Sequence, residues 1–179
     1  MSEVKQSMED LRYVGQAVSK NQNFTEFDVM KDITDVLFEQ YKNYLQYDSS
    51  LSEFTNDKKR FDQSANEFVK DRSVYSLVGS RLMSGIIWFS YRADQNINNQ
   101  HDFAIRTCGI GRGLGLSLPF MELSVSDYIR SSSIDVDTIN LNVKPANIGA
   151  IALYKKFGFK ESKNQDDVAT VKMDYKPKF

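Results

Sequence analysis

Four glycines alternate over seven residues near the middle of the chain: Gly109, Gly111, Gly113 and Gly115, four of the nine glycines among 179 residues. Glycine allows positive φ and a close approach of backbone to ligand, but it destabilises a folded chain where neither is needed. Successive N–H groups in such a loop converge on an anion, and an apolar, helix-like segment follows. The run therefore predicts a phosphate-binding loop before a helix, in which Arg112 reaches a phosphate directly. A flexible turn between a strand and a helix is the alternative.

Two other kinds of glycine loop do not fit this run. A P-loop requires Gly-Lys-Ser or Gly-Lys-Thr, which is absent. The dinucleotide-binding pattern G-x-G-x-x-G needs a third glycine at Leu114, Leu116 or Leu118, depending on where the pattern starts. The ligand is therefore not predicted to be held in either of these ways.

A second motif follows about thirty residues later and predicts a short capped helix. Asn147 is a good N-cap residue, and Gly158 is suited to end the helix. Tyr154 shares an apolar face with Ala150, Ile151 and Phe157. The preceding segment 139–143 alternates apolar and polar residues, as a strand does.

The hydrophobic pattern of the remaining chain predicts a mixture of strands and helices. Residues up to about 20 carry a weak helical face, and 23–30 is an edge-strand candidate. Segments 94–100 and 131–138 are polar loops. The other predicted elements are a helix at 31–47, a second helix capped by Thr55 or Asn56, a hairpin of 74–78 and 81–91 turning at Gly79-Ser80, a strand at 101–107, a helix at 116–129, and a strand pair at 159–162 and 168–175.

Composition predicts one globular domain over 1–179, with 1–22 as a candidate N-terminal extension. The net charge of −1 gives no basic bias toward nucleic acid, and no apolar run is long enough to span a membrane. Cys108 is the only cysteine, so no internal disulfide can form and a reducing, cytoplasmic location is expected. His101 is the only histidine, which argues against a His/Cys metal site.

The two motifs together resemble the GNAT superfamily of N-acetyltransferases, which bind acetyl-CoA. The family pattern Leu-x-Val-x-x-x-Asn-x-x-Ala-x-x-Leu-Tyr-x-x-x-Gly-Phe is matched at every position, from Leu141 to Phe159. The likeness covers about residues 74–175. It implies an α/β fold with a mixed, mostly antiparallel central sheet flanked by helices, and a V-shaped splay between two central strands.

The family's loop pattern, R/Q-x-x-G-x-G/A, fits in two registers. Arg106 to Gly111 matches every position, whereas Ile110 to Gly115 matches the glycines but has isoleucine at the Arg/Gln position. We favour the second register because it also fits the family's wider loop pattern. The resemblance then implies the following contacts to coenzyme A: Ile105, Thr107, Ile110, Gly111, Arg112, Gly113, Leu114, Gly115, Asn147 and Tyr154.

The resemblance also implies a mechanism without an acyl-enzyme. Backbone N–H groups of the strand near 103–107 would polarise the thioester, a neutral amine would attack it, and Tyr154 would protonate the departing thiolate. Asp102 is the candidate general base and His101 the other, although both are expected to be solvated at the start of a strand. Cys108 is expected to be a small buried residue rather than a nucleophile.

The acceptor amine is not readable from the sequence. A peptide N-terminus, a lysine, a polyamine and an aminoglycoside all fit the near-neutral charge, and a homodimer is also compatible with it. In the resembled family the N-terminal helices and variable loops select the acceptor. A degenerate protein that binds coenzyme A or a partner without turnover is the alternative function.

Overall fold

The computed structural model describes residues 8, 11–19, 26–49, 62–91, 99–162 and 169–178, which form a single sheet with helices on both faces. The strands are β1 (Arg12–Val18), β2 (Glu26–Lys31), β3 (Arg72–Gly79), β4 (Leu82–Tyr91), β5 (Gln100–Thr107), β6 (Thr138–Val143), β7 (Lys160–Glu161) and β8 (Val171–Tyr175). The helices are α1 (Asp35–Tyr47), α2 (Ala65–Val69), α3 (Ser117–Ser131) and α4 (Ile148–Phe157), with a 3-10 turn at Gly109–Gly111.

The eight strands lie in the order β1-β2-β3-β4-β5-β6-β8-β7, and β5 and β6 are the one parallel pair among them. Their pairing is short, because residues 100–102 of β5 face 138–140 of β6 and no later residues of the two strands pair. Beyond that point β5 stays with β4 as far as Thr107, and β6 stays with β8 as far as Val143. The sheet therefore opens into a V between β5 and β6, as predicted.

The sheet separates two hydrophobic cores. On one face α3 and α4 cover Tyr75, Ile87, Phe89 and neighbouring residues. On the other face α1 and α2 cover a second set that includes Ile86 and Trp88. Because side chains alternate across a strand, the uninterrupted apolar run of β4 supplies both cores, as is typical of a central strand.

The hairpin of β3 and β4 turns one residue later than predicted. Gly79 pairs with Leu82, so the two turn residues are Ser80 and Arg81, with φ of 50° and 65°. Gly79 is needed for packing instead, since a Cβ there would lie 2.3 Å from the ring of Phe27. Positive φ at both central positions is the geometry that matches the twist of the flanking strands.

The first helix begins where a side chain caps it. The Thr34 hydroxyl oxygen accepts the N–H of Leu37 at 3.2 Å. Helical spacing with Ile33 and Leu37 predicts Val36 on the apolar face of this helix, but Val36 is 67% exposed and Phe38 is buried instead. The second helix starts at Ser64 and Glu67, which form a reciprocal capping box. Its predicted caps, Thr55 and Asn56, lie outside the described residues.

The weak helical face predicted near the N-terminus is wrong, because Arg12–Val18 forms β1. This strand pairs with β2, so β2 is not an edge strand. Arg12 forms an ion pair with Asp127 of α3, a buried carboxylate that also accepts a hydrogen bond from the Tyr75 hydroxyl at 2.9 Å. This contact ties the edge of the sheet to the helix that covers it. None of the described helices is long and apolar enough to span a bilayer.

Candidate active site

A cavity of about 610 Å³ occupies the gap where β5 and β6 separate. Among the described residues, its lining has no acidic side chain and four basic ones, which are Arg106, Arg112, Lys144 and Lys156. The glycine loop and the first turns of α3 and α4 complete it. The other lining residues are Ile105, Thr107, Gly115, Ser117, Leu118, Asn142, Val143, Gly149, Ala150, Leu153, Asn147 and Tyr154. A positive, half-open cleft next to two helix N-termini suits an elongated anion.

The free edge of β5 turns polar backbone groups toward this gap. The Cys108 N–H donates to the Ser84 carbonyl of β4 at 3.0 Å. Because hydrogen-bonding groups alternate in direction along a strand, Ile105 and Thr107 turn theirs away from β4. Their carbonyls accept hydrogen bonds from guanidinium groups, that of Ile105 from Arg106 at 2.8 Å and that of Thr107 from Arg112 at 3.0 Å. Their N–H groups face the same side and can donate to a ligand carbonyl.

The first half of the glycine loop is packed against the protein. Gly109 has a φ of +54°, and a Cβ there would lie 2.5 Å from the Tyr44 hydroxyl oxygen of α1. Gly111 is buried, and a Cβ there would lie 2.5 Å from the carbonyl oxygen of Ser84. These two glycines are therefore required by close contacts with α1 and β4, whatever the loop binds.

The second half of the loop faces outward. Gly113 and Gly115 are exposed and have φ of +71° and +70°. A Cβ at Gly113 would meet no atom within 4 Å, so protein packing does not require a glycine at this position. Gly115 lines the cavity directly before α3. The open half of the loop is thus the part whose backbone a ligand can reach, and which register holds the phosphates stays a prediction.

The predicted loop contacts do not all lie on the cavity. Arg112 and Gly115 line it, whereas Gly111, Gly113 and Leu114 are not among its described lining residues, and the side chain of Ile110 lies outside the described part of the chain. Leu114 packs its side chain on the core, and its carbonyl accepts a hydrogen bond from the Ser19 hydroxyl at 2.9 Å.

Arg112 is held by the protein itself, contrary to the expectation that its side chain is available for a phosphate. Its NH1 and NH2 groups meet the two carboxylate oxygens of Asp48 at 3.0 and 2.8 Å. Its Nε donates to the Thr107 carbonyl at 3.0 Å. The paired forks of guanidinium and carboxylate fix the orientation of both groups.

Asn147 caps α4, as predicted, and lines the cavity. Its side-chain oxygen accepts the N–H of Ala150 at 3.2 Å. A contact with a ligand would therefore be made by the side-chain amide nitrogen. The helix ends at Gly158, whose φ of 121° suits glycine and whose N–H bonds back to Tyr154 and Lys155.

Tyr154 projects from α4 into the cavity and is 6% exposed. Its ring packs edge-on against Phe103, with ring centroids 6.4 Å apart, and in a tilted arrangement against Phe159, with centroids 5.8 Å apart. Burial raises the pKa of Tyr154 above the ordinary value, and the positive charge of Arg106 partly opposes this. The phenol is therefore protonated at neutral pH, the form that a proton donor requires.

The two candidate bases lie on opposite faces of β5. His101 is 1% exposed, so its expected solvation is wrong. Its Nδ1 lies 2.6 Å from the Tyr128 hydroxyl, and its Nε2 lies 3.3 Å from the Asp135 carbonyl. A carbonyl only accepts, so Nε2 carries the hydrogen and Nδ1 accepts from Tyr128 in the neutral ring. Burial lowers the pKa of His101, which makes it a neutral core residue on the α3 face.

Asp102 lies opposite Asn140, at the last position where β5 pairs with β6 before the two strands separate. It is half-buried and projects to the face opposite that of His101, but it is not among the residues that line the cavity. The position lies at the closed end of the gap.

Cys108 is buried, as expected, and burial raises the pKa of its thiol to about 12. A neutral thiol is a poor nucleophile, so the structure gives Cys108 no covalent role. Among the described residues, no group of three or more His, Cys, Asp or Glu is placed to hold a metal ion.

Three basic cavity residues were not predicted as ligand contacts in the favoured register: Arg106, Lys144 and Lys156. Lys144 directly follows β6, and Lys156 lies two residues after Tyr154 on α4. Each of the three lies at or just after the C-terminal end of a strand or helix that borders the cleft, and this position is what could have identified them from the sequence. Asp48 carries no such signal, because its contact with Arg112 joins residues 64 positions apart.

Several solved structures that share this arrangement of strands and helices are described as acetyltransferases. The chain is similar to a GNAT-family acetyltransferase from Streptococcus pneumoniae, at 15% identity and a TM-score of 0.65, over 83% of this chain and 99% of that one. It is similar to aminoglycoside acetyltransferase AAC(6')-Ib, solved with ribostamycin and coenzyme A, at 14% identity and a TM-score of 0.65, over 83% and 93% of the two chains.

A third similar structure is Mycobacterium smegmatis RimJ in complex with CoA-disulfide, at 11% identity and a TM-score of 0.62, over 93% of this chain and 85% of that one. No family model and no curated protein matches the chain. The protein has the fold of the GNAT N-acetyltransferases. At these identities the likeness establishes the fold, and the resemblance predicted from the two motifs is confirmed at that level.

Proposed function

We propose that this protein is an N-acetyltransferase that moves an acetyl group from acetyl-CoA to a primary amine by direct attack. The observation that carries the proposal is the cavity between β5 and β6. One end of the glycine loop, the cap residue Asn147 and the phenol of Tyr154 all line this single cleft. The coenzyme A bound in several similar structures supports the same ligand here.

The charge of the cleft suits the phosphate-bearing end of coenzyme A. Four basic side chains line it, of which Arg112 is paired with Asp48, and the N-termini of α3 and α4 add partial positive charge. Gly113 and Gly115 are exposed where the chain leads into α3, so the backbone there is open to the approach of a phosphate. The pyrophosphate would lie at this loop, and the pantetheine arm would run between β5 and β6 past Asn147.

The chemistry follows from the groups at the inner end of the cleft. N–H groups of Ile105 and Thr107 would donate to the thioester oxygen, on which negative charge develops as the amine nitrogen attacks the carbonyl carbon. The carbon–sulfur bond then breaks, and Tyr154 gives its proton to the departing thiolate. The nitrogen loses a proton to Asp102 or to water, and solvent restores the phenol.

The test combines binding with turnover. Coenzyme A or acetyl-CoA should raise the melting temperature, because a ligand at a hundred times its Kd stabilises the folded state by about 2.7 kcal/mol. ATP and NAD at equal concentration serve as controls for non-specific anion binding and should have much less effect. No shift at millimolar coenzyme A with folded protein would refute the cofactor assignment.

Turnover is measured as free thiol released from acetyl-CoA with a panel of acceptors. The panel contains a peptide with a free N-terminus, a lysine peptide, a polyamine and an aminoglycoside. Acetyl-CoA without acceptor, and each acceptor without protein, give the background rate. Binding of coenzyme A without release of thiol above that background for any amine would favour the degenerate binding protein instead.

A further inference from the structure

The glycine loop is fastened to α1 at two places. Tyr44, in the last turn of α1, packs its hydroxyl against Gly109. Asp48, the residue that ends α1, makes the two-pronged ion pair with Arg112. The N–H of Asp48 bonds to the Tyr44 carbonyl at 2.8 Å, so both contacts belong to one turn of backbone. The C-terminal end of α1 therefore holds the packed half of the loop in place through these two contacts.

Arg112 is the boundary between the packed and the open halves of the loop. Its three charge-assisted hydrogen bonds point to Asp48 and to the end of β5. The next residue, Gly113, is exposed with a φ of +71°. Fixing Arg112 thus fixes the point from which the backbone turns outward, and less conformational freedom remains to be lost when a ligand binds.

We propose that Asp48 is a positioning residue for the cofactor site, which holds Arg112 so that the open half of the loop is ready to receive the phosphates. We call the ion pair of Asp48 with Arg112 the clamp. Arg112 acts through this clamp rather than as a phosphate ligand. The inference rests on the proposed function, and it assigns a role to a helix end that belongs to neither sequence motif.

The alternative is that Asp48 merely occupies Arg112 until a phosphate displaces it. The two readings predict opposite effects of Asp48→Asn on binding of coenzyme A. If Asp48 positions the loop, the substitution weakens binding. If it competes with the phosphate, the substitution frees Arg112 and strengthens binding. In Asp48→Asn the charge of Arg112 is no longer compensated and could attract coenzyme A from a distance. Physiological ionic strength screens this attraction beyond about 8 Å, so the binding is measured at that ionic strength.

The experiment compares Asp48→Asn, Arg112→Met and the double variant. Each single change should raise the Kd of coenzyme A and the KM of acetyl-CoA about ten-fold, within the range of coupling found for groups of one ion-pair network. The double variant should be no worse than either single one, because both remove the same clamp. In Asp48→Asn the change should appear in KM rather than in kcat at saturating acetyl-CoA, whereas partial unfolding would lower the apparent kcat and leave KM alone.

Two further measurements keep the result decisive. Hydrogen exchange of loop amides 109–115 should accelerate in Asp48→Asn without any ligand, and Asp48→Glu should restore part of the protection. The control is Glu161→Gln, which removes an exposed ion pair with Lys155 at 2.7 Å. It should change neither the Kd of coenzyme A nor the exchange rate of the loop amides.

Tighter or unchanged binding of coenzyme A in Asp48→Asn would overturn the clamp, as would unaltered loop exchange. A wild-type protein that does not bind coenzyme A would instead overturn the proposed function, and the exchange measurement would still decide whether Asp48 orders the loop.

Discussion

Replacing Gly113 with valine places a branched side chain in the open half of the glycine loop. The structure separates two effects of this change. A Cβ at Gly113 would meet no protein atom within 4 Å, so no clash contributes. The backbone has a φ of +71°, which disfavours an L residue by roughly 1–2 kcal/mol, and a β-branched one by more. The melting temperature should therefore fall by only a few degrees, at about 2–4 °C per kcal/mol for a chain of this size.

The effect on coenzyme A should be larger than the effect on stability. The new side chain stands where the backbone would approach the phosphates, so a charge-assisted hydrogen bond from the loop is lost. Such a bond contributes about 1.5–3 kcal/mol, which corresponds to a roughly ten- to hundred-fold rise in Kd. Calorimetric titration of the folded variant with coenzyme A measures this directly.

Two companion variants isolate the cause. Gly113→Asn keeps a residue that tolerates positive φ, so its loss of affinity reports the added side chain alone. Gly111→Ala should lose stability first, because its Cβ would lie 2.5 Å from the Ser84 carbonyl oxygen. Unchanged affinity in folded Gly113→Val would refute the reasoning, and the phosphate contacts would then belong to the register that ends at Gly111.

Three further results are expected. Tyr154→Phe should lower turnover by about 100- to 10,000-fold with the Kd of coenzyme A nearly unchanged, as the ring packing is kept and the proton donor is lost; a full rate would show that another group protonates the thiolate. Burial opposes ionisation of Asp127, but hydrogen bonds from Arg12 and Tyr75 prevail and hold its pKa below the ordinary 3.8. The ionised carboxylate therefore stabilises the folded state at pH values above the unfolded pKa of 3.8, and this stabilisation is lost as the pH falls through the lower pKa of the folded state. Asp127→Asn should make the free energy of unfolding less dependent on pH in the acid range. It should also lower that free energy by about 2 kcal/mol at neutral pH. The thiol of Cys108, with a pKa raised to about 12, should resist alkylation until the protein is unfolded, and rapid labelling of native protein would contradict its burial.

Local signals were sufficient for the elements that carry the motifs. The alternation of β6, the cap at Asn147 and the positive φ at Gly158 each depend on residues within a few positions of one another, and the structure has all three. The N-terminal strand β1 was missed for the converse reason. It lies at the edge of the described sheet and has little apolar alternation, and its pairing with β2 is what makes it a strand.

The sequence by itself determined that a glycine loop precedes a helix, that a capped helix carries Tyr154, and that the two belong to a GNAT-like fold. These features follow from backbone preferences and short spacings. Only the tertiary structure decided which glycines are packed and which are open, that Arg112 is bound to Asp48, and that His101 is buried on the face opposite Asp102. Each of those outcomes depends on contacts between residues far apart in the chain, which no local pattern records.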